Sequence, residues 1–161
     1  MIVIVMGVAG SGKSTVGSLL ASELGWPFVD ADQLHPPASV AKMAGGTPLD
    51  DADRLPWLQA IRARIARCLA ERQSAVFACS ALKQSYRDML RAGAGAVCFV
   101  YLRGHYGLFA ERMSVRPNHF MKSELLASQF ETLEEPADAL AVDAARTPAE
   151  VVAEIRSTLG V

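Results

Sequence analysis

The sequence GVAGSGKS, residues Gly7 to Ser14, matches the pattern GxxxxGK[ST] and lies between two regular patterns. The apolar run Ile2 to Met6 before it predicts a buried strand, and the apolar spacing of Lys13 to Leu24 after it predicts a helix. A glycine-rich loop in this position can turn its N–H groups toward a phosphate. Lys13 would then reach the β and γ phosphates, and the Ser14 hydroxyl would bind Mg²⁺. We predict that these residues bind the phosphates of ATP: Gly7, Val8, Ala9, Gly10, Ser11, Gly12, Lys13, Ser14 and Thr15.

Predicted strands and helices alternate along the rest of the chain. Further strands are predicted at Trp26–Val29, Ala75–Cys79, Val97–Leu102 and Ala139–Val142, and further helices at Asp53–Glu71, Gln84–Arg91, Tyr106–Ser114, Lys122–Leu133 and Pro148–Leu159. Such alternation favours a five-stranded parallel sheet flanked by helices, which is an α/β fold. We expect a single domain over residues 1–161, because no linker separates two parts.

Composition excludes several classes of protein. The chain has 161 residues, of which 51% are hydrophobic, with 16 basic and 17 acidic side chains. An apolar fraction of this size excludes a disordered chain, and the balanced charge argues against a nucleic-acid-binding surface. No apolar run reaches the ~18 residues of a membrane helix. We therefore expect a cytoplasmic protein that binds neither nucleic acid nor membrane.

Other ATP- and GTP-binding classes lack their signatures here. A GTPase needs an Asn-Lys-x-Asp base reader, but the one asparagine, Asn118, precedes His119. Motor and AAA-type ATPases carry a hydrophobic run that ends in Asp-Glu, and none is present. A small kinase remains, in which positioning, Mg²⁺ and converging cations supply the catalysis.

Two carboxylates follow the second predicted strand, at Asp30 and Asp32. Ligands of open α/β sheets bind at the carboxyl ends of the strands, and residues two apart on an extended segment point the same way. We predict that Asp32 is the general base or orients the acceptor hydroxyl, and that Asp30 contacts Mg²⁺ through water. A helix N-cap or a solvated loop pair is the alternative interpretation.

Several longer segments resemble the gluconokinase family: DADQLHP (30–36), KMAGGTPL (42–49), DDADRLPWL (50–58), CSALK (79–83), YRD (86–88), HF (119–120) and SQFETLEEP (128–136). The resemblance covers the chain from the first strand to about Pro136. It implies ATP-dependent phosphorylation of D-gluconate to 6-phospho-D-gluconate. It also implies a three-layer P-loop kinase fold with a helical lid at roughly residues 104–136, and by analogy a homodimer.

The acceptor is a hydroxylated acid, so its pocket needs hydrogen-bonding groups and a cation. The predicted substrate-binding residues lie in the matching segments and are Asp32, His35, Arg54, Ser80, Lys83, Arg87 and His119. Two alternatives stay open here. Arg54 is either a ligand or a surface partner of Asp50 or Asp51, and Trp57 either lies near the substrate or continues the apolar face of its helix.

The lid implied by the resemblance carries further arginines. Arg116 is predicted to stabilise the transferring phosphoryl group, which makes Lys13, Asp32 and Arg116 the predicted catalytic set. Arg112 is predicted to contact ATP, and His119 to contact the substrate or close the lid. Adenine is expected against the loop from Asp143 to Pro148.

Two rival functions remain at this point. One is a kinase of the same architecture that acts on shikimate or another small polyol acid. The other is a regulatory module that binds a nucleotide without catalysis, against which the intact set of predicted catalytic residues argues.

Overall fold

The central strand explains the layering of the molecule. In the computed structural model, which describes residues 1–91, 95–115 and 122–161, all five residues of β1 (Ile2–Met6) are buried. Ile2, Ile4 and Met6 face one hydrophobic cluster, and Val3 and Val5 face a second cluster on the opposite side. A strand covered on both faces is typical of a parallel sheet between two helical layers.

Four further strands form a parallel sheet with β1, which pairs directly with β3 and β4. They are β2 (Phe28–Asp30), β3 (Ala75–Ala78), β4 (Val97–Arg103) and β5 (Leu140–Asp143), in the order β2-β3-β1-β4-β5. The predicted five-stranded parallel α/β sheet is therefore confirmed. The predicted start of β2 at Trp26 is wrong, because the strand begins only after Pro27, which has no N–H to donate.

The described residues form seven α-helices around the sheet: α1 (Lys13–Leu24), α2 (Pro37–Ala44), α3 (Asp51–Ala70), α4 (Gln84–Arg91), α5 (Tyr106–Ser114), α6 (Lys122–Thr132) and α7 (Pro148–Leu159). Helices α3 and α4 bury their apolar residues against one face, and α1, α5, α6 and α7 against the other. Within the described ranges, no helix is long and apolar enough to cross a membrane.

Side-chain caps fix where two helices begin. Helix α7 starts at a capping box in which Thr147 and Glu150 bond to each other's main-chain N–H groups. Asp50 and Asp53 form the same arrangement at α3, so that helix begins at Asp51 and not at the predicted Asp53. The Asp50 cap also places residues 51–54 beside the carboxyl ends of the strands.

Candidate active site

The loop between β1 and α1 has the backbone of a phosphate cradle. Gly10 and Gly12 have φ angles of 77° and 96°, in the left-handed region that favours glycine. A Cβ at Gly10 would lie 2.8 Å from the carbonyl oxygen of Phe109, so the loop also packs closely on α5. The Ser11 hydroxyl is buried without a hydrogen-bond partner among the described residues, which leaves a polar atom available to a ligand.

Lys13 and Ser14 begin α1 and face different partners. Lys13 Nζ donates to the carbonyl oxygen of Val8 at 3.0 Å, which holds the amine over the loop. The Ser14 hydroxyl donates to Asp30 Oδ2 at 2.8 Å. A hydroxyl beside a carboxylate presents the hard oxygen atoms that Mg²⁺ prefers.

Asp30 and Asp32 do not lie on one extended segment, so that part of the prediction is wrong. Residues Ala31–Leu34 form a 3₁₀ turn, and Asp30 caps it by accepting a hydrogen bond from Asp32 N at 3.1 Å. Asp30 Oδ1 is therefore a helix cap, as the alternative interpretation had it, while Asp30 Oδ2 accepts from the Ser14 hydroxyl. The Asp32 side chain is exposed at the start of this turn.

Three charged side chains act on the buried thiol of Cys79, the residue that follows β3. Burial raises its pKa to about 12, and the charges of Asp32, Lys13 and Arg54 also act on it. The predicted base, the loop lysine and one predicted acceptor cation thus gather at this edge of the sheet.

His35 and Trp57 form a stacked pair beside these charges. Their ring centroids are 4.3 Å apart and the planes differ by 9°. Trp57 is fully buried and donates through Nε1 to the carbonyl oxygen of Ala31 at 2.7 Å, so it belongs to the core, as its alternative interpretation had it. Burial lowers the pKa of His35, whose Nδ1 is buried with no partner among the described residues. A neutral imidazole therefore lies on a rigid indole.

Arg54 and Lys83 lie on one aromatic ring but have different partners. The Arg54 guanidinium carbon is 5.9 Å from the centre of the Tyr86 ring, and Lys83 Nζ is 5.6 Å from it. Lys83 donates to both oxygens of Asp51, at 2.8 and 3.1 Å, and Tyr86 donates its hydroxyl to the same carboxylate. Arg54 donates through Nε to the carbonyl oxygen of Leu49 at 3.3 Å and forms no ion pair with Asp50 or Asp51.

Arg87, which was predicted to bind the acceptor, lies in the interior of the protein. Its side chain is completely buried, and Nη1 donates to the carbonyl oxygens of Ala81 and Leu82, each at 2.9 Å. The other nitrogens donate to Gln84 Oε1 at 2.7 and 3.2 Å. Four of the five N–H groups of this arginine are engaged in supporting the loop, and its side chain has no exposed surface. Ser80 lies in the connection before this loop, and its carbonyl oxygen accepts from Gly7 N at 3.4 Å.

A cavity of about 310 Å³ lies on the other side of the phosphate loop. Its wall includes Gly12 and Thr15 from the loop side, Arg112 from α5, and Ala144 and Pro148 from the segment expected to contact adenine. Arg146, which the sequence did not single out, also lines it and pairs with Glu154. The volume and the mainly apolar lining fit a nucleoside.

Two predicted site residues lie outside the described residues: Arg116 and His119. Sequence reasoning missed Asp51, Tyr86 and Gln129, although each lies in a segment that carries the family resemblance. Gln129 Oε1 accepts a hydrogen bond from Ala9 N in the phosphate loop at 2.6 Å.

Comparison with known proteins identifies relatives along almost the whole chain. The family model "Shikimate kinase" matches residues 9–160. The thermoresistant gluconokinase of Escherichia coli K12 is 44% identical over 146 residues, which cover 88% of this chain and 83% of that protein. The gluconokinase of Gluconobacter oxydans is 47% identical, with 84% and 76% covered.

Solved structures agree with the sequence comparisons. A gluconokinase from Sinorhizobium meliloti 1021 has a TM-score of 0.88 and 49% identity, and the match covers 98% of this chain and 90% of that one. A shikimate kinase from Aquifex aeolicus has a TM-score of 0.64 at 20% identity, with 99% and 96% covered. The second likeness concerns the fold alone.

Proposed function

Because the chain belongs to the gluconokinase family, within the wider group that the shikimate kinase model describes, we propose that it transfers the terminal phosphoryl group of ATP to D-gluconate. The product is 6-phospho-D-gluconate. The observation that carries this proposal is the meeting of two sites at one edge of the sheet. A glycine-rich loop with Lys13 follows β1, and Ser14 beside it donates to Asp30 at the end of β2, which caps the turn that carries Asp32. The charges of Asp32, Lys13 and Arg54 all act on the buried Cys79 thiol after β3.

The residues present fit a nucleotide with Mg²⁺. The buried Ser11 hydroxyl of the loop has no partner in the described part of the chain, and Ser14 with Asp30 offers two adjacent oxygen ligands. Within the described part of the chain, no three or more His, Cys, Asp and Glu side chains form a metal cluster. Mg²⁺ suits so small a set, because it keeps several waters and takes one or two protein ligands beside the phosphates. Ser14 would hold the ion directly and Asp30 through water. The bound ion would supply neutralisation of the charge on the phosphate oxygens.

The side chains then divide the phosphoryl transfer between them. The loop N–H groups and Lys13 hold the phosphates, and Lys13 stabilises the negative charge that develops on them. Asp32 accepts the proton of the attacking gluconate hydroxyl while that oxygen forms its bond to phosphorus and the bond to ADP breaks. Arg112 contacts the nucleotide from α5, and Arg116 contributes a second positive charge at the transferring group.

The acceptor pocket combines a cation with polar and flat surfaces. The terminal nitrogens of Arg54 have no hydrogen-bond partner among the described residues, so a carboxylate can engage both of them. His35 lies on Trp57 as a neutral polar wall for the hydroxyl groups, with Ser80, Lys83 and His119 as further contacts. Arg87 acts behind this wall, through the loop that it supports. The two core clusters share one sheet, which favours a single domain over residues 1–161.

A panel of acceptors tests the proposal. The purified protein is incubated with ATP, Mg²⁺ and either D-gluconate, shikimate or another sugar acid, and the products are identified by ³¹P NMR. We expect a new phosphomonoester with gluconate at the highest kcat/KM of the panel. Faster turnover of shikimate would assign the protein to the second acceptor class. ATP binding without product from any acceptor would favour the regulatory module.

A further inference from the structure

The segment from Gln129 to Glu134 at the end of α6 contacts both halves of the site. Gln129 Oε1 accepts from Ala9 N in the phosphate loop at 2.6 Å. Five residues later, Glu134 N donates to the carbonyl oxygen of Leu82 at 2.9 Å, and Glu134 Oε2 accepts from Gln84 N at 2.7 Å. Leu82 and Gln84 flank Lys83, so one short segment joins the nucleotide loop to the loop that carries an acceptor-side cation.

The connection between these two contacts is a hydrogen-bonded and packed helical turn. Leu133 N donates to the carbonyl oxygen of Gln129 at 2.9 Å, which continues the helical turn up to the residue before Glu134. The Leu133 side chain packs against the hydrophobic clusters on both faces of the sheet. A packed helical turn therefore links the phosphate loop to residues 82–84.

The loop at residues 81–84 is also held from its other side. Arg87 binds the carbonyl oxygens of Ala81 and Leu82 and the side chain of Gln84 from within the core. Since the core holds Arg87 in place, a change in the position of α6 would reach residues 82–84 through the contacts of Glu134. Lys83 takes its position from both supports.

We propose that Gln129 and Glu134 are positioning residues that couple the phosphate loop to residues 82–84, so that nucleotide binding orders the acceptor side. The inference rests on the proposed function in taking Lys83 as part of the acceptor pocket. If nucleotide binding has already ordered residues 82–84, the acceptor does not have to supply that ordering when it binds. Because coupling between two binding sites is reciprocal, the bound acceptor favours nucleotide binding by the same factor.

Amide hydrogen exchange measured by NMR on the full chain tests this coupling without any acceptor. The probe is Mg²⁺ with a non-hydrolysable ATP analogue, at saturation for each variant. In the wild type the analogue slows exchange of the Gln84 amide by about fivefold or more, the lower range of typical coupling between sites. In Q129A the Ala9 amide loses protection and the Gln84 amide no longer responds, although the analogue still binds.

Further variants separate coupling from a general loss of structure. Q129N keeps the amide but withdraws its oxygen by one methylene, and it should behave like Q129A. E134A makes the Gln84 amide exchange rapidly with and without the analogue. E131A is the matched control, because Glu131 is exposed on the same helix, and it should respond like the wild type. A Gln84 response that persists in Q129A and Q129N, or that is missing in the wild type, overturns the inference.

The kinetics give a second readout. Q129A should raise the KM for gluconate severalfold, although of the two loops Gln129 contacts only the phosphate loop and not residues 82–84. A wild type that does not phosphorylate gluconate refutes the proposed function, and the exchange experiment then still decides the coupling.

Discussion

Replacing Arg87 with alanine should destabilise the protein, because this guanidinium is part of the interior. It is completely buried and donates to two main-chain carbonyl oxygens at 2.9 Å and to the side chain of Gln84. Alanine would leave the carbonyl groups of Ala81 and Leu82 without these donors. The loop that carries Lys83 would lose its support on the core side.

The size of the effect follows from these contacts. A hydrogen bond to a charged group contributes about 1.5–3 kcal/mol, so two carbonyl contacts amount to ~3–6 kcal/mol. Burial of the guanidinium opposes this gain, and the same desolvation lowers the pKa of Arg87. We expect a net loss of about 3 kcal/mol in the free energy of unfolding. For a chain of this size that is a decrease of roughly 6–12 °C in Tm.

Urea unfolding followed by circular dichroism measures this loss, with Tm as a second readout. R62A is the matched control, because Arg62 is exposed on α3, and its stability should stay within about 0.5 kcal/mol of the wild type. R87K should lie between R87A and the wild type, since an ammonium keeps the charge but not the planar fork. If R87A unfolds at the same urea concentration as the wild type and only its KM for gluconate rises, Arg87 binds the substrate directly and the reasoning is refuted.

Three further substitutions test other parts of the site. D32N should lower kcat by ~10²–10⁴ and leave the Kd for ATP within about twofold, and an equal loss of ATP affinity would contradict its role as base. S14A should raise the Mg²⁺ concentration for half-maximal turnover about tenfold, and an unchanged Mg²⁺ dependence would remove Ser14 from the metal site. Burial lowers the pKa of His35 from its ordinary value of 6.5, so the unfolded chain binds more protons and wild-type stability falls as the pH drops below that value. H35Q should reduce this pH dependence of Tm below about pH 6.5, whereas equal slopes in both proteins would refute the assignment.

The fold was predictable where local pattern and burial agree. The run Ile2 to Met6 is apolar at each position, and the strand is buried on both faces, so the pattern alone indicates a central parallel strand. Helix α2 went unpredicted because Ser39 is its only buried residue, and no apolar stripe marks it. The 3₁₀ turn at Ala31–Leu34 was missed for a similar reason, since its one buried side chain, Ala31, carries no periodic signal.

In the candidate site, too, the sequence locates some residues but does not reveal the environment of others. The phosphate loop is contiguous, and its glycines and Lys13 sit at fixed spacing, so sequence alone locates them. Arg54, Lys83 and Arg87 have the same sign of charge and lie in equally characteristic segments, yet one is half-buried, one pairs with Asp51 and one is enclosed by carbonyl groups. Which environment each cation enters depends on contacts between α3, α4 and the loop before α4, and no local pattern encodes those contacts.

These environments also rank the cations as partners for an acid. A carboxylate that approaches Lys83 must compete with Asp51, which already accepts two contacts from the amine and one from Tyr86. Arg54 imposes no such competition, because its terminal nitrogens have no partner among the described residues and can form a bidentate pair. The Tyr86 ring lies near both cations. Because Tyr86 also donates its hydroxyl to Asp51, this contact fixes the ring beside Arg54. The proposed function therefore assigns recognition of the acid to Arg54, and it assigns to Lys83, Asp51 and Tyr86 the wall that orients the rest of the molecule.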